Sequence, residues 1–304
     1  MILTPRKRLP WLVLMLLGVG CLLSSSGAAA ERGSVVRPIR IGVSGALFRE
    51  VPDAIVAAMS RPFNKVMVAE TGMNGELTKV SDPFAMAQDL LDNRLQLGIF
   101  TSYELAWARQ KYPDLQPLMT LVGEEAKPQA LVVVPAKTPV KQFADLKGKT
   151  LSRPKASKPY AMLFLERQAA TLNEDPKQFF TKINVNTEAS EALDDVAEGV
   201  SDAALVDIST WDAYRKAKPG RSSGLRIALQ SEKFPATVLA YYPGNLDQAT
   251  VKQFRKGMLQ ASDNPSAKPL MNLWKMTGFQ EVPKDFEASL KELVAKYPPP
   301  EAKK

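Results

Sequence analysis

The chain has 304 residues, 45% of them hydrophobic and 24% charged, with one cysteine and no histidine. This is the composition of a globular protein, and it excludes Ser-His-Asp and Cys-His catalytic centres and zinc sites built from His and Cys. The formal net charge is +8, but the basic residues are scattered and are not interleaved with aromatic residues. We therefore expect no nucleic-acid surface and a mild preference for anionic ligands.

The first 30 residues have the pattern of a secretory signal peptide. Three basic residues at positions 6–8 precede an apolar run over residues 9–23, and residues 28–30 are alanines of the kind that a signal peptidase accepts. The run is too short to span a bilayer comfortably. Of the 40 basic residues three lie in this leader, so cleavage after Ala30 leaves 37 against 32 acidic residues and a net charge of +5.

Cys21 supports an alternative to simple cleavage. Residues 18–21 read Gly-Val-Gly-Cys, a weak form of the sequence that directs lipidation, with Gly18 where a bulky aliphatic residue is usual. A lipid on Cys21 would tether the protein to a membrane. Cleavage after Ala30 instead leaves no cysteine, so disulfide bonds are excluded and stability must come from a packed core.

The first elements in chain order alternate between strands and helices. Ser81 and Asp82 provide an N-cap before Pro83, which is a favoured first residue of a helix. Strands are predicted over residues 39–43, 65–69 and 95–100, and helices over residues 51–59, from 83 onwards and over 101–108. This order predicts a largely parallel sheet covered by helices.

A second α/β series follows an apolar strand that ends at Pro135. Strands are predicted over residues 130–134, 150–152, 183–185, 203–206, 225–229 and 237–242, and helices over 160–172, 190–198, 250–261, 267–276 and 285–296. No polar linker separates the two series. The pattern therefore predicts two lobes joined by continuous strands.

Three segments resemble a known family. Residues 97–104 read Leu-Gly-Ile-Phe-Thr-Ser-Tyr-Glu, residues 143–150 read Phe-Ala-Asp-Leu-Lys-Gly-Lys-Thr, and residues 203–207 read Ala-Ala-Leu-Val-Asp. Together they resemble the phosphate/phosphite/phosphonate-type substrate-binding proteins of ABC transporters, over about residues 39–286. The second segment is common to many type 2 periplasmic binding proteins, whereas the first is more particular to the phosphonate-type branch.

This resemblance implies the α/β, two-lobed type 2 periplasmic binding protein fold, in which each lobe is a mostly parallel sheet flanked by helices. One lobe would be residues 36–132 together with 240–304, and the other residues 133–239. Two crossover strands, at residues 130–134 and 237–242, would join the lobes, and the C-terminal helices would return to the first lobe. The ligand would lie between the lobes.

The resemblance also implies a function. We expect a monomeric periplasmic protein without a cofactor, which captures a small anionic ligand such as an oxyanion or an organophosphorus compound for a membrane ABC permease. No spaced pair of catalytic carboxylates stands out, so we expect no enzyme. The alternative function is a sensor that presents its closed state to a membrane receptor or kinase, and the sequence hardly separates the two.

Several candidate ligand residues follow strands. Thr101, Ser102 and Tyr103 open a helix, where free N–H groups and hydroxyls can hold an anion. The alternative is helix capping by Thr101 or Ser102, but the resemblance favours a ligand role for Ser102 and Tyr103. Ser44 and Gly45, after the first strand, would line the cleft in this architecture; the alternative is a tight turn.

The loop before the predicted helix at residue 160 departs from the family, which usually has small hydroxyl residues there. Ser157 is kept, but Lys158 and Pro159 follow it, and Pro159 removes one N–H donor. Lys158 offers a positive charge in compensation, with a solvated lysine as the alternative, and Tyr160 completes this group. The departure leaves the identity of the ligand open.

Asp207 ends a predicted buried strand, where the family often has an acidic ligand contact. Such a carboxylate would hold an ammonium group or a protonated phosphonate oxygen; the alternative is a cap for the following turn. Tryptophans are more often core residues than ligand contacts, and we expect this of Trp107 and Trp274. Trp211 is the candidate for a ligand contact because it lies close to Asp207.

Overall fold

The computed structural model describes residues 38–49, 51–123, 128–274 and 276–300. The predicted signal peptide and the alternative lipidation site at Cys21 lie outside the described residues. Within the described residues, no helix combines the length and the apolar character needed to cross a bilayer.

The described chain alternates strands and helices along most of its length. In chain order the strands are β1 (Ile39–Ser44), β2 (Gly75–Val80), β3 (Leu97–Phe100), β4 (Gln116–Gly123), β5 (Ala130–Pro135), β6 (Thr150–Pro154), β7 (Lys182–Asn186), β8 (Ala203–Asp207), β9 (Leu225–Gln230), β10 (Val238–Tyr241) and β11 (Met276–Gln280). The helices are α1 (Asp53–Thr71), α2 (Pro83–Leu91), α3 (Ser102–Lys111), α4 (Pro159–Ala170), α5 (Pro176–Phe179), α6 (Glu191–Ala197), α7 (Ile208–Ala217), α8 (Pro219–Ser222), α9 (Gln248–Gln260), α10 (Lys268–Leu273) and α11 (Phe286–Lys296).

The strands form two sheets, each of them mixed. The first has the order β11-β4-β10-β3-β1-β2, with β1 parallel to β2 and β3, and with β10 antiparallel to both β3 and β4. The second has the order β7-β6-β8-β5-β9, with β6 parallel to β7 and β8, and with β5 antiparallel to β8 and β9. The predicted parallel pairing is therefore limited to part of each sheet.

Strand β5 shows why a continuous apolar run forms a strand here. Leu131 and Val133 pack into one hydrophobic cluster, while Val132 and Val134 pack into another. Because successive side chains of a strand point to opposite faces, the central part of β5 is covered on both faces and needs no polar side.

The chain passes between the sheets twice, from β4 to β5 and from β9 to β10. The predicted α/β fold with two helix-flanked sheets is confirmed. The segments predicted as crossover strands, over residues 130–134 and 237–242, contain most of β5 and the whole of β10, which are members of the two sheets themselves. Helix α9 contacts α1 and α11 contacts α3, so these C-terminal helices lie with the helices of the first sheet. The lobe boundaries given above stay predictions.

Two sequence-based assignments in the first lobe are wrong. Residues 65–69, predicted as a strand, are the last part of α1, whose buried residues Val56, Met59, Phe63 and Val66 recur at helical spacing. Pro62 within this helix is typical of a helix end, which is why the predicted helix stops too early. Strand β2 was not predicted, nor were β4 and β11, which pair with each other, and the predicted helix over 267–276 overlaps the first residue of β11.

Candidate functional site

A cavity of about 690 Å³ is lined by residues from both sheets and from the helices that follow them. Six of the nine predicted ligand residues line it: Thr101, Ser102, Tyr103, Ser157, Lys158 and Tyr160. They come from two places, the start of α3 beside the first sheet and the start of α4 beside the second. The other three predicted residues, Ser44, Gly45 and Asp207, do not line it.

The start of α3 brings backbone donors to the cavity. Ser102 and Tyr103 are the first two residues of this helix and are only 3% and 4% exposed. Their N–H groups have no acceptor within the helix, which makes such a position suitable for an anion. The Tyr103 hydroxyl is protonated at neutral pH even at its ordinary pKa, and burial raises that pKa further, so the group can donate a hydrogen bond.

Thr101 serves mainly as the cap of α3, which was the alternative to a role in ligand binding. Its Oγ1 donates to Glu104 Oε2 at 2.8 Å, and its backbone N–H donates to the same oxygen at 3.1 Å. The Glu104 N–H points back to Thr101 Oγ1 at 3.4 Å, which completes a capping box.

Glu104 was not among the predicted site residues, although the Thr-x-x-Glu spacing of a capping box is visible in the sequence. It is only 4% exposed, and this burial raises the pKa of its carboxyl group against the opposing hydrogen bonds from Ser44 and Thr101. Through these bonds Glu104 connects the end of β1 to the start of α3. It therefore holds the start of α3 in place without lining the cavity itself.

Ser44 and Gly45 form the turn that leads into the cavity wall. Ser44 Oγ accepts a hydrogen bond from the N–H of Ala46 at 3.1 Å and caps the short 3-10 helix Gly45–Phe48. A Cβ atom on Gly45 would lie 3.0 Å from the Cα of Ser81, so the close approach of these two segments of the chain favours glycine. The residues that follow, at positions 46–49, line the cavity.

The loop at Ser157 brings the ammonium group of Lys158 to the cavity from the second lobe. Ser157 Oγ donates to the carbonyl oxygen of Pro154 at 2.5 Å, which fixes the loop after β6. Lys158 is the N-cap residue of α4, and Pro159 occupies the first helical position. The ring of Tyr160 stacks on Phe234, with centroids 5.3 Å apart.

Asp207 has the capping role that was the alternative to ligand binding. Its Oδ1 accepts hydrogen bonds from the N–H of Thr210 at 2.8 Å and from the hydroxyl of Ser209 at 2.6 Å, at the start of α7. Trp211 packs in the core of the second lobe and does not line the cavity. Trp274, expected in the core, does line it.

The charged groups of the cavity are predominantly basic. The side chains of Arg49, Arg153, Lys155, Lys158 and Lys177 line it, against the two carboxylates of Glu166 and Asp175. Only Lys158 was predicted, because the others belong to no motif, and Arg49 and Lys177 lie far from the rest in the sequence. In the described part of the chain, no group of three or more Asp, Glu or Cys side chains is arranged to hold a metal ion.

Residues 45–285 match the family described as "ABC transporter, phosphonate, periplasmic substrate-binding protein". The chain belongs to this family. The predicted resemblance is thereby confirmed, as is the expectation that the protein is not an enzyme, since the family consists of transporter substrate-binding proteins. Comparison with curated proteins finds no significant match.

Several solved structures have a fold similar to that of this phosphonate-type binding protein. XAC2383 from Xanthomonas citri, bound to chloride, is 19% identical with a TM-score of 0.57, over 85% of this chain and 96% of that one. A binding protein component of an ABC phosphonate transporter from Pseudomonas aeruginosa is 15% identical with a TM-score of 0.54, over 86% and 87%. PhnD1 from Prochlorococcus marinus, in complex with methylphosphonate, is 14% identical with a TM-score of 0.53, over 85% and 97%.

Proposed function

We propose that this binding protein captures an oxyanion, of the organophosphorus or phosphate class, in the cavity between its sheets and delivers it to a membrane ABC permease. One observation carries the proposal: the first residues of α3, with their free N–H groups, and the basic residues of the second lobe line the same cavity. Both features stabilise negative charge.

The groups available suit a tetrahedral oxyanion. Ser102 and Tyr103 offer N–H and hydroxyl donors from one side, and Ser157 and Lys158 lie on the other. Five basic against two acidic side chains leave the cavity with three surplus positive charges. Hydrogen bonds to a charged partner are stronger than those between neutral groups, and the neutral donors fix the orientation of the ligand.

The chain crosses between the sheets twice, which supports a hinge closure of the two lobes around the ligand. A closed state that differs from the open one is what a permease could recognise. A match to a family of ABC transporter components favours this role over that of a sensor.

The proposal is tested by thermal unfolding of the purified protein with phosphate, phosphite, methylphosphonate, aminoethylphosphonate and phenylphosphonate, each against sodium chloride of equal ionic strength. A ligand at about 100 times its Kd stabilises the folded state by about 2.7 kcal/mol, which raises the Tm by a readily measured amount. At least one compound should do so. An unchanged Tm with all five would contradict the ligand class.

A further inference from the structure

The cavity has an apolar wall on the side of the first sheet. Six of its lining residues belong to one hydrophobic cluster that includes the core of that sheet: Leu47, Phe48, Val51, Leu121, Trp274 and Met276. This set is called the apolar wall below. Since a cluster of this kind is anchored in the core, the wall is a fixed surface of the cavity.

Aromatic contacts hold the largest side chain of the apolar wall. The Trp274 ring meets Phe48 edge to face, with centroids 5.7 Å apart, and lies parallel to Phe63 at 6.0 Å. Trp274 is nevertheless only partly buried. A large aromatic face that is held in place and left partly open is suited to contact with an apolar group.

The second lobe contributes most of the basic residues that line the cavity. Arg153, Lys155, Lys158 and Lys177 come from the second lobe, and none of the four forms an ion pair with another described residue. Arg49, the basic residue from the first lobe, is paired with Glu166. Most of the positive charge of the cavity therefore comes from the second lobe, whereas the apolar wall belongs to the first sheet.

An inorganic oxyanion can use only one of these two sides. It would leave the partly buried members of the apolar wall, Leu47, Val51 and Trp274, in contact with water, whereas a ligand with an attached apolar group would remove that surface from water. The volume of about 690 Å³ also lies within the range of about 300–1,000 Å³ that is typical of sites for organic ligands.

We infer that the ligand is an organophosphonate with a sizeable apolar substituent, such as an aryl or branched alkyl group, held with its oxyanion toward α3 and the second lobe and its substituent on the apolar wall. This inference rests on the proposed oxyanion-binding function.

Isothermal titration with four compounds tests it: phenylphosphonate, methylphosphonate, inorganic phosphate and benzyl alcohol. Phenylphosphonate should bind at least tenfold more tightly than methylphosphonate or phosphate, and neutral benzyl alcohol should bind far more weakly. Equal affinities for phenylphosphonate and methylphosphonate would overturn the inference and leave the proposed function standing. Binding of no oxyanion would overturn both.

Two variants of the apolar wall sharpen the test. Trp274→Leu and the nearly isosteric Val51→Thr should each weaken phenylphosphonate binding severalfold while they leave methylphosphonate binding unchanged. Val51→Thr changes little volume, so it gives a result even if Trp274→Leu fails to fold. Trp211→Leu is the matched control, because Trp211 does not line the cavity. An equal loss of affinity for both ligands would contradict the assigned role of the wall.

Discussion

Arg49 and Glu166 form an ion pair between the two lobes, with Nη1 3.2 Å from Oε1, although 117 residues separate them in the chain. Arg49 follows the first strand of the first sheet, and Glu166 lies on α4 of the second lobe. Both side chains line the cavity and are about half exposed, at 46% and 47%. The pair therefore connects the two lobes at the cavity proposed to hold the ligand.

Glu166→Gln should weaken this connection. Exposed ion pairs contribute about 0–1 kcal/mol, so we expect ligand affinity to fall by up to about fivefold, a loss that exceeds the gain from removing a carboxylate that repels an anion. Titration of the ligand at low and high salt measures this, since salt screens the pair in the wild type and narrows the difference. Glu281→Gln removes the ion pair of Arg255, which lies away from the cavity, and should leave affinity unchanged. A salt-independent loss of affinity in Glu166→Gln would argue against this role.

Ser102→Ala and Tyr103→Phe should each weaken oxyanion binding. Each removes one hydroxyl from a buried position at the start of α3, and a hydrogen bond to a charged group contributes about 1.5–3 kcal/mol. Titration with the tightest ligand of the panel measures the loss. Ser223→Ala, on an exposed residue outside the cavity, is the control and should bind like the wild type. Wild-type affinity in both site variants would place the ligand elsewhere.

Glu104 should make the protein less stable as pH rises. Burial raises the pKa of its carboxyl group in the folded state above that in the unfolded state. The folded state therefore keeps a proton that the unfolded state has released, and stability is lost as pH rises from the unfolded pKa through the folded one. Each unit of pKa difference corresponds to about 1.4 kcal/mol.

The comparison of wild type with Glu104→Gln isolates this effect, because glutamine cannot ionise. Urea unfolding at pH 5 and pH 8 gives the free energy of unfolding of each protein. The wild-type value minus that of the variant should be smaller at pH 8 than at pH 5. The same difference at both pH values would contradict the assignment of this pH dependence to Glu104.

Asp207→Ala should lower stability without changing ligand affinity. It removes the cap of α7, and loss of such a cap costs about 1 kcal/mol. Asp207→Asn keeps an oxygen that can accept from Thr210 and should be nearly neutral in both respects. Thermal unfolding and ligand titration of the two variants provide the measurements. A large loss of affinity in Asp207→Asn would restore the ligand role that the resemblance implied.

The fold was predictable where a pattern is local. The run of β5 is apolar because both faces of the strand are covered, and the Thr-Ser-Tyr segment after β3 is recognisable by its order in the chain. Strand β4 was missed because it begins with Gln116 and Pro117, which are not typical of a strand, and both of its partners in the sheet come much later in the chain. The extent of α1 was underestimated because of Pro62.

The cavity was less predictable because its walls are assembled from distant segments. Arg49, Arg153 and Lys177 resemble any other surface cation in the sequence, and only the packing of the two lobes brings them to one cavity. Trp274 is separated by more than 200 residues from Phe48 and Phe63, the rings that hold it. No local spacing could indicate these contacts.

The position of β10 between β3 and β4 has a consequence for biosynthesis. Both neighbours of β4 in the first sheet, β10 and β11, come more than 100 residues later in the chain. During translation, a nascent chain that has only reached β9 therefore cannot complete the sheet to which its own first strands belong. We expect such a chain to stay without a finished N-terminal lobe until late in synthesis, which would suit the predicted secretory leader, because an exported chain is threaded across a membrane before it folds.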